Sequence, residues 1–222
     1  MNRRTGGPTA PPGKVLRHPG ILRLLHWSHV ALAMVLVLTG FYLDRPFLPP
    51  HILRVSRVRL VHSTFASPYV ASLLLYLVYL LNSGAWRDLI PARNDWRNLG
   101  GTLRYLLVFS AEMPMHGKYH LLQKLLYLSF IPGILLKALT GWALAAHGTW
   151  SGALIIFLAG GLQNIRLIHY FVALYLLLGA TAHLYLVLSE PGSLAAMVTG
   201  WAAAVPPAGT KEERALRPPE LR

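Results

Sequence analysis

Residues 166–188 read RLIHYFVALYLLLGATAHLYLVL, and the placing of two histidines in this apolar run decides the fold. His169 and His183 are fourteen residues apart. On a helix that separation is ~21 Å of rise, and at ~100° per residue the two rings point within roughly 40° of one another. One membrane helix would therefore carry two imidazoles on one face, near opposite sides of a bilayer. A neutral imidazole brings a metal-binding lone pair into hydrocarbon without net charge. The spacing suggests two stacked b-type haems, each needing a second histidine from another helix.

The surrounding chain fits a membrane setting. Of its 222 residues 54% are hydrophobic and 13% charged, with a mean hydropathy of +0.45. Four blocks reach the ~20 residues that a hydrocarbon core requires: Ile21 to Leu43, Val58 to Leu81, Tyr119 to Ala146 and Ile165 to Leu188, none containing an acid. The expected fold is an all-α membrane protein, a four-transmembrane-helix bundle over residues 21–189. Residues 1–20 are expected to be a disordered cytoplasmic N-terminus, and residues 190–222 a cytoplasmic interfacial segment with a disordered tail. A secretory signal competes for the first block, but the long segment before it and the lack of a small-residue cleavage site favour a retained span. Residues 99–110, 152–160 and 193–205 are expected to lie flat on the membrane faces.

The chain has no cysteine, so it cannot attach haem through CxxCH, hold an iron–sulfur cluster by thiolates or form a disulfide. Its formal charge of +13 is no nucleic-acid signature, because the basic residues flank the spans. Arg3, Arg4, Lys14 and Arg17 precede the first, and Arg87, Arg93, Arg97, Arg104 and Lys118 separate the second from the third, whereas residues 148–164 carry no charge. Under the positive-inside rule both termini are cytoplasmic, in a bacterial-type inner membrane. Arg45, Arg54, Arg57 and Arg59 break that pattern on the external side, and haem propionates contacted by Arg57 and Arg59 would supply an anion there.

A shift of 101 residues aligns RLLHWSHVALAMVLVLTGFYL (23–43) with KLLYLSFIPGILLKALTGWAL (124–144), and a shift of 107 aligns RLVH (59–62) with RLIH (166–169). The expectation is two pseudo-repeated helical hairpins of like orientation; chance likeness of Leu-rich spans is the competing reading. The repeat makes His62 and His169 equivalent, near the external ends of the second and fourth spans, where they would ligate one iron from both sides. Tyr127 stands at the place of His26, and Tyr76 at that of His183. His26 and His183 remain, each about five residues inside a cytoplasmic helix end, and form the second pair. A neutral imidazole suits such a site because its second nitrogen can donate a hydrogen bond that fixes the ring's orientation.

Other residues have weaker claims. His29, one turn from His26, is an alternative ligand or a propionate contact. Lys137 inside a span would pair with a propionate or snorkel. Gly40 and Gly141 would let a macrocycle or another helix approach. His18, His51 and His116 are loop residues, and His147 is a candidate partner contact at the external end of the third span.

With Arg23 to Trp27, Thr39-Gly40, Arg59 to His62, Arg166 to His169 and His183 to Tyr185 in place, the chain resembles the di-haem b-type cytochrome subunits of nickel–iron hydrogenases, formate dehydrogenases (the gamma subunit) and thiosulfate reductases. The resemblance covers residues 21–189 and implies His26 and His183 on a cytoplasmic-side haem, with His62 and His169 on an external-side one. GKYHLLQKLLY, residues 117–127, is similar to the G-K-Y-N-x-x-Q-K segment of the latter two groups, which implies a quinone site at His120, Gln123 and Lys124. Here His120 replaces asparagine, and Leu122 the glycine of formate dehydrogenase. His120 would hydrogen-bond a quinone carbonyl and relay its proton; a polar helix start facing headgroups is the alternative.

The expected function is a membrane subunit with two b haems, passing electrons between an iron–sulfur or other redox subunit on the external face and the quinone pool, in either direction. Membrane lipid is a further partner and nucleic acid is not. A stand-alone cytochrome of the same fold oxidising a small species such as superoxide, with quinone as acceptor, is the first alternative. A haem-free anchor or transporter is the second, and the lack of intramembrane acids argues against its cation-coupled form.

Overall fold

A chain surrounded by lipid must satisfy its backbone N–H and C=O groups within itself, which leaves helices as the means for a hydrophobic run to cross. The computed structural model describes residues 13–108, 119–190 and 192–203. Among them four helices are long and apolar enough to span: α1 (Gly20–Asp44), α2 (Val55–Ser83), α5 (Leu121–Ala145) and α7 (Leu162–Ser189). Their 25 to 29 residues amount to ~38–44 Å at 1.5 Å per residue, more than the ~30 Å hydrocarbon layer, so the helix ends reach into the headgroup regions. Four crossings bring the chain back to the side from which it started.

The spans pair as hairpins. α1 packs along α2, α5 along α7, and the two hairpins meet chiefly through α2 and α5. The α5–α7 seam depends on glycine. A Cβ at Gly179 would lie 2.6 Å from Phe130 Cε1, and one at Gly133 would lie 3.1 Å from both Leu176 Cδ2 and Tyr175 Cε1. Small residues at a helix crossing allow this close approach, which is what drives association where there is no water to expel.

The connections divide by membrane face. On the far face, opposite the termini, α1 and α2 are joined by a loop pinned by Tyr42, whose hydroxyl donates to Leu48 O at 3.3 Å or Leu53 O at 2.7 Å. On the same face lies α6 (Trp150–Leu158), with Trp150, Phe157 and Leu158 all more than 70% exposed, as an uncharged segment lying along a membrane would be. On the termini face, a 3-10 turn (Ala85–Leu89), α3 (Arg93–Arg97) and α4 (Leu99–Val108) follow α2. α8 (Ser193–Thr199) follows α7. The short helices thus coincide with three segments expected to lie flat.

One expectation needs correction. Residues 14–18, assigned to a disordered arm, are ordered: β1 (Lys14–Leu16) pairs antiparallel with β2 (Trp201–Ala203), in the register Val15 to Ala202. Gly200 O then accepts from Arg17 N and His18 N at 2.9 and 3.1 Å. Arg23 Nη1 donates to Val198 O at 2.6 Å, and Trp27 Nε1 to Met197 O at 3.2 Å, which holds α8 on the start of α1. The order comes from a partner strand at the other end of the chain, which a composition rich in proline and glycine does not reveal. Residues 1–12 and 204–222 lie outside the described residues, as do Lys118 and His116.

Gly179→Val is expected to destabilise the α5–α7 seam by about 1–3 kcal/mol, measured as a lower thermal midpoint in detergent. Gly100→Ala is the control, because nothing lies within 4 Å of a Cβ there; an equal loss in the control would remove the seam from the explanation.

Candidate functional site: two histidine pairs along one membrane helix

α7 brings His169 and His183 to matching depths with histidines of the other hairpin. His62 is seven residues into α2 and His169 seven into α7, both counted from the far face; His26 and His183 are each six residues from the termini-face ends of α1 and α7. The rings come together accordingly. The His26 and His183 centroids are 6.2 Å apart at an interplanar angle of 62°, and those of His62 and His169 6.5 Å apart at 71°.

These separations can be compared with what a shared metal requires. A metal–imidazole nitrogen bond is about 2 Å, and nitrogen lies about 1 Å inside that from the ring centre, so two imidazoles facing each other across one iron should have centroids about 6 Å apart. Both pairs fit. The helices that carry them also stand apart, since neither α1 nor α2 packs its backbone closely on α7. His29 behaves otherwise. Its ring stacks on Tyr69 with centroids 4.1 Å apart, and its Nδ1 is 2.7 Å from Ser72 Oγ. His29 therefore ties α1 to α2 within one hairpin and is turned away from the α7 partners.

The surroundings of the two pairs differ. Thr39 Oγ1 is 2.8 Å from His62 Nδ1, and Thr140 Oγ1 is 2.9 Å from His169 Nδ1. Lys137 Nζ donates to His169 O at 2.7 Å, so this intramembrane ammonium is spent on a backbone carbonyl beside the far-face pair. Near the other pair, the Tyr127 ring lies 5.4 Å from His183 and 5.3 Å from Tyr119. His183 Nδ1 is buried without a hydrogen-bond partner among the described residues. Sequence reading did not single out Thr39 and Thr140 as histidine partners. The signal was the Leu-Thr-Gly that both halves of the repeat share.

The residues expected at a quinone site gather at the start of α5. His120 is its N-cap: His120 N donates to Gln123 Oε1 at 3.1 Å, and Gln123 N donates to His120 Nδ1 at 3.4 Å, a reciprocal capping box. Gln123 Nε2 donates to Glu190 Oε2 at 3.4 Å, and Glu190 pairs with Arg17 at 2.8 Å. His120 Nε2 is buried with no partner among the described residues. Burial lowers the His120 pKa to about 4, against the raising effect of Glu190, so the ring is neutral at pH 7. Burial likewise raises the Tyr119 phenol above its ordinary range. Lys124 is committed elsewhere, in a buried pair with Asp95 at 2.8 Å. On the far face, Arg57 and Arg59 are exposed on the first turns of α2, and His147 follows the Ala146 C-cap of α5 with its Nδ1 3.2 Å from Leu144 O.

Comparison with known proteins adds an independent line. A sequence model of the family described as prokaryotic cytochrome b561 matches residues 17–200. A probable Ni/Fe-hydrogenase B-type cytochrome subunit of Azotobacter vinelandii is 27% identical over 206 residues, covering 81% of this chain and 85% of the relative. A formate dehydrogenase cytochrome b556 subunit of Haemophilus influenzae is 24% identical over 192 residues, covering 85% and 76%. A probable Ni/Fe-hydrogenase B-type cytochrome subunit of Rhodobacter capsulatus is 24% identical over 205 residues, covering 81% and 78%.

The Asp95 carboxylate also accepts from Ala92 N at 2.6 Å, so it holds α3 onto α5. Asp95→Ala is expected to leave the Lys124 ammonium buried and unpaired, at a cost of about 3–5 kcal/mol. The measurement is the thermal midpoint in detergent, with hydrogen exchange rising over residues 85–108. An unchanged midpoint would show that the pair contributes nothing net.

Proposed function

The chain belongs to the prokaryotic cytochrome b561 family, and from that premise we propose that it is a di-haem subunit carrying electrons between a redox enzyme on one membrane face and quinone at the other. It is a multi-pass membrane cytochrome b, and b-type haem is the cofactor that the family implies. The observation that carries the finer reading is the pair of histidine separations, 6.2 and 6.5 Å, toward opposite ends of α7. His26 and His183 hold one haem, and His62 and His169 the other. Held by two imidazoles each, b haems would supply one-electron carriers suited to electron transfer rather than oxygen activation.

The chain's own residues do the rest. Four neutral imidazoles bring ligands into hydrocarbon without adding charge. Arg59 is three residues before His62 and so a neighbour on the same helix surface; with Arg57 it offers cations for propionate carboxylates. At the start of α5, the unpartnered His120 Nε2 is the group for a quinone carbonyl, and Gln123 orients it through the capping box. Lys124 serves this site indirectly, through its ion pair with Asp95.

The partner is a hydrogenase-type or formate-dehydrogenase-type redox subunit, on the strength of the relatives' names. It docks at the far face, and any thiolate-held cluster belongs to it because this chain has no cysteine. The termini face is cytoplasmic. It carries Lys14, Arg17, Arg87, Arg93, Arg97 and Arg104, whereas residues 148–164 on the far face have no charge, the distribution that the positive-inside rule favours.

Pyridine haemochrome analysis should find two extractable haems per chain, with His62→Ala losing mainly one and His26→Ala mainly the other. A single haem in the unaltered protein, or two retained in His62→Ala, would overturn the ligand set. His120→Ala should slow haem oxidation or reduction by a soluble quinone or quinol analogue in stopped flow, with haem content intact. His120→Asn should keep more of the rate, since an amide still donates to a carbonyl. Unchanged rates in His120→Ala would put the quinone elsewhere.

A further inference from the structure

Thr39 and Thr140 are placed alike in the two hairpins, one on α1 facing the histidine of α2, the other on α5 facing that of α7. We infer that they are a matched pair of positioning residues, which set the tautomer, orientation and donor strength of His62 and His169 and thereby the redox potential of the haem these two hold. The inference rests on the ligand reading above and deepens it.

A threonine hydroxyl has one proton to give. Thr39 Oγ1 lies 2.6 Å from Val35 O and Thr140 Oγ1 2.8 Å from Leu136 O, each the carbonyl one turn back on its own helix. In hydrocarbon no water competes for that proton, and back-bonding is its ordinary use on a membrane helix. The hydroxyl oxygen is then an acceptor toward the ring, so Nδ1 carries the hydrogen and Nε2 keeps its lone pair. The opposite tautomer would place a proton on Nε2, where a metal ligand needs electrons. The threonines therefore select the ligating form at both histidines.

The residue after each threonine completes the arrangement. A Cβ at Gly40 would be 3.4 Å from His62 Cε1, and a Cβ at Gly141 would be 3.3 Å from His169 Cε1. Each ring thus lies close against the backbone of the neighbouring helix, tethered at Nδ1 and braced at Cε1. The unit is Thr-Gly, built twice, 101 residues apart.

The other pair lacks it. No hydrogen bond reaches the ring of His26 among the described residues, which instead meets Trp27 edge-on at 5.3 Å, and His183 Nδ1 has no partner among them. A ligating imidazole that donates from its second nitrogen is a more basic ligand, and a more basic ligand favours the oxidised iron. The far-face haem is accordingly held at a lower potential than the same ligands would give alone.

The test is a potentiometric titration of the purified full chain, followed optically and by low-spin EPR, for Thr39→Val, Thr140→Val, the double variant and the serine replacements. Valine keeps the shape and removes the acceptor, so the potential of the His62-dependent haem should rise in each single variant and further in the double, with altered g values. Serine should restore both, and the other haem should not move. If Thr39→Val loses that haem while Thr39→Ser keeps it, the hydroxyl is holding the ligand, which also supports the inference. Unmoved potentials, equal shifts with valine and serine, loss of haem in both, or both haems shifting together would overturn it. The ligand reading fails separately, and takes the inference with it, if His62→Ala keeps both haems.

Discussion

Hydrocarbon offers no hydrogen bonds, and most of this architecture follows from that one property of the solvent. It turns the four apolar runs into helices, since each backbone group must find a partner nearby. It explains why Thr39 and Thr140 give their protons to carbonyls of their own helices and why Lys137 ends on the carbonyl of His169. It also makes neutral histidine an affordable metal ligand at depth, where a carboxylate would bring charge. Ser63, Ser72, Ser129 and Thr181 likewise donate to carbonyls of their own helices.

Against that background the asymmetry between the histidine pairs is informative. The repeat produces two similar hairpins, and at the far face it keeps the whole unit on both sides: Arg-Leu-x-His on one helix, Thr-Gly on its neighbour. At the termini face the equivalence is broken. His26 and His183 have Tyr127 and Tyr76 at their repeat positions, so a single histidine pair is left at that depth, with Tyr127 packed 5.4 Å from His183. Two chemically distinct environments therefore sit about 21 Å apart along α7, a separation given by fourteen residues of helical rise.

The termini face is also where chain ends and loops are tied to the bundle. β1 and β2 join residues nearly the whole chain apart, Arg17 reaches Glu190, and Asp95 reaches Lys124 from the connection before α5. Gln123 links this network to His120 through its side chain and backbone. The start of α5 is thus held by contacts from three segments, a rigid setting for a buried ring nitrogen.

The membrane class, the four spans and the pairing of the histidines were all legible in the sequence, because each depends on a local or periodic property. Twenty apolar residues specify a crossing, fourteen residues of helical rise fix two depths, and a repeat of RL[VI]H identifies equivalent positions. Residues 99–110, 152–160 and 193–205 stood out as apolar segments for the same reason, and α4, α6 and α8 overlap them, although 201–203 form a strand. What the tertiary structure decided depends on which surfaces meet. It turned His29 toward Ser72 rather than α7, although nothing in the spacing of His26 and His29 distinguishes them. It committed Lys124 to Asp95, and it ordered residues 14–16 against 201–203. It put a threonine hydroxyl on one histidine pair and none on the other. These choices rest on contacts of a few ångströms between residues far apart in the chain, and local pattern carries no information about them.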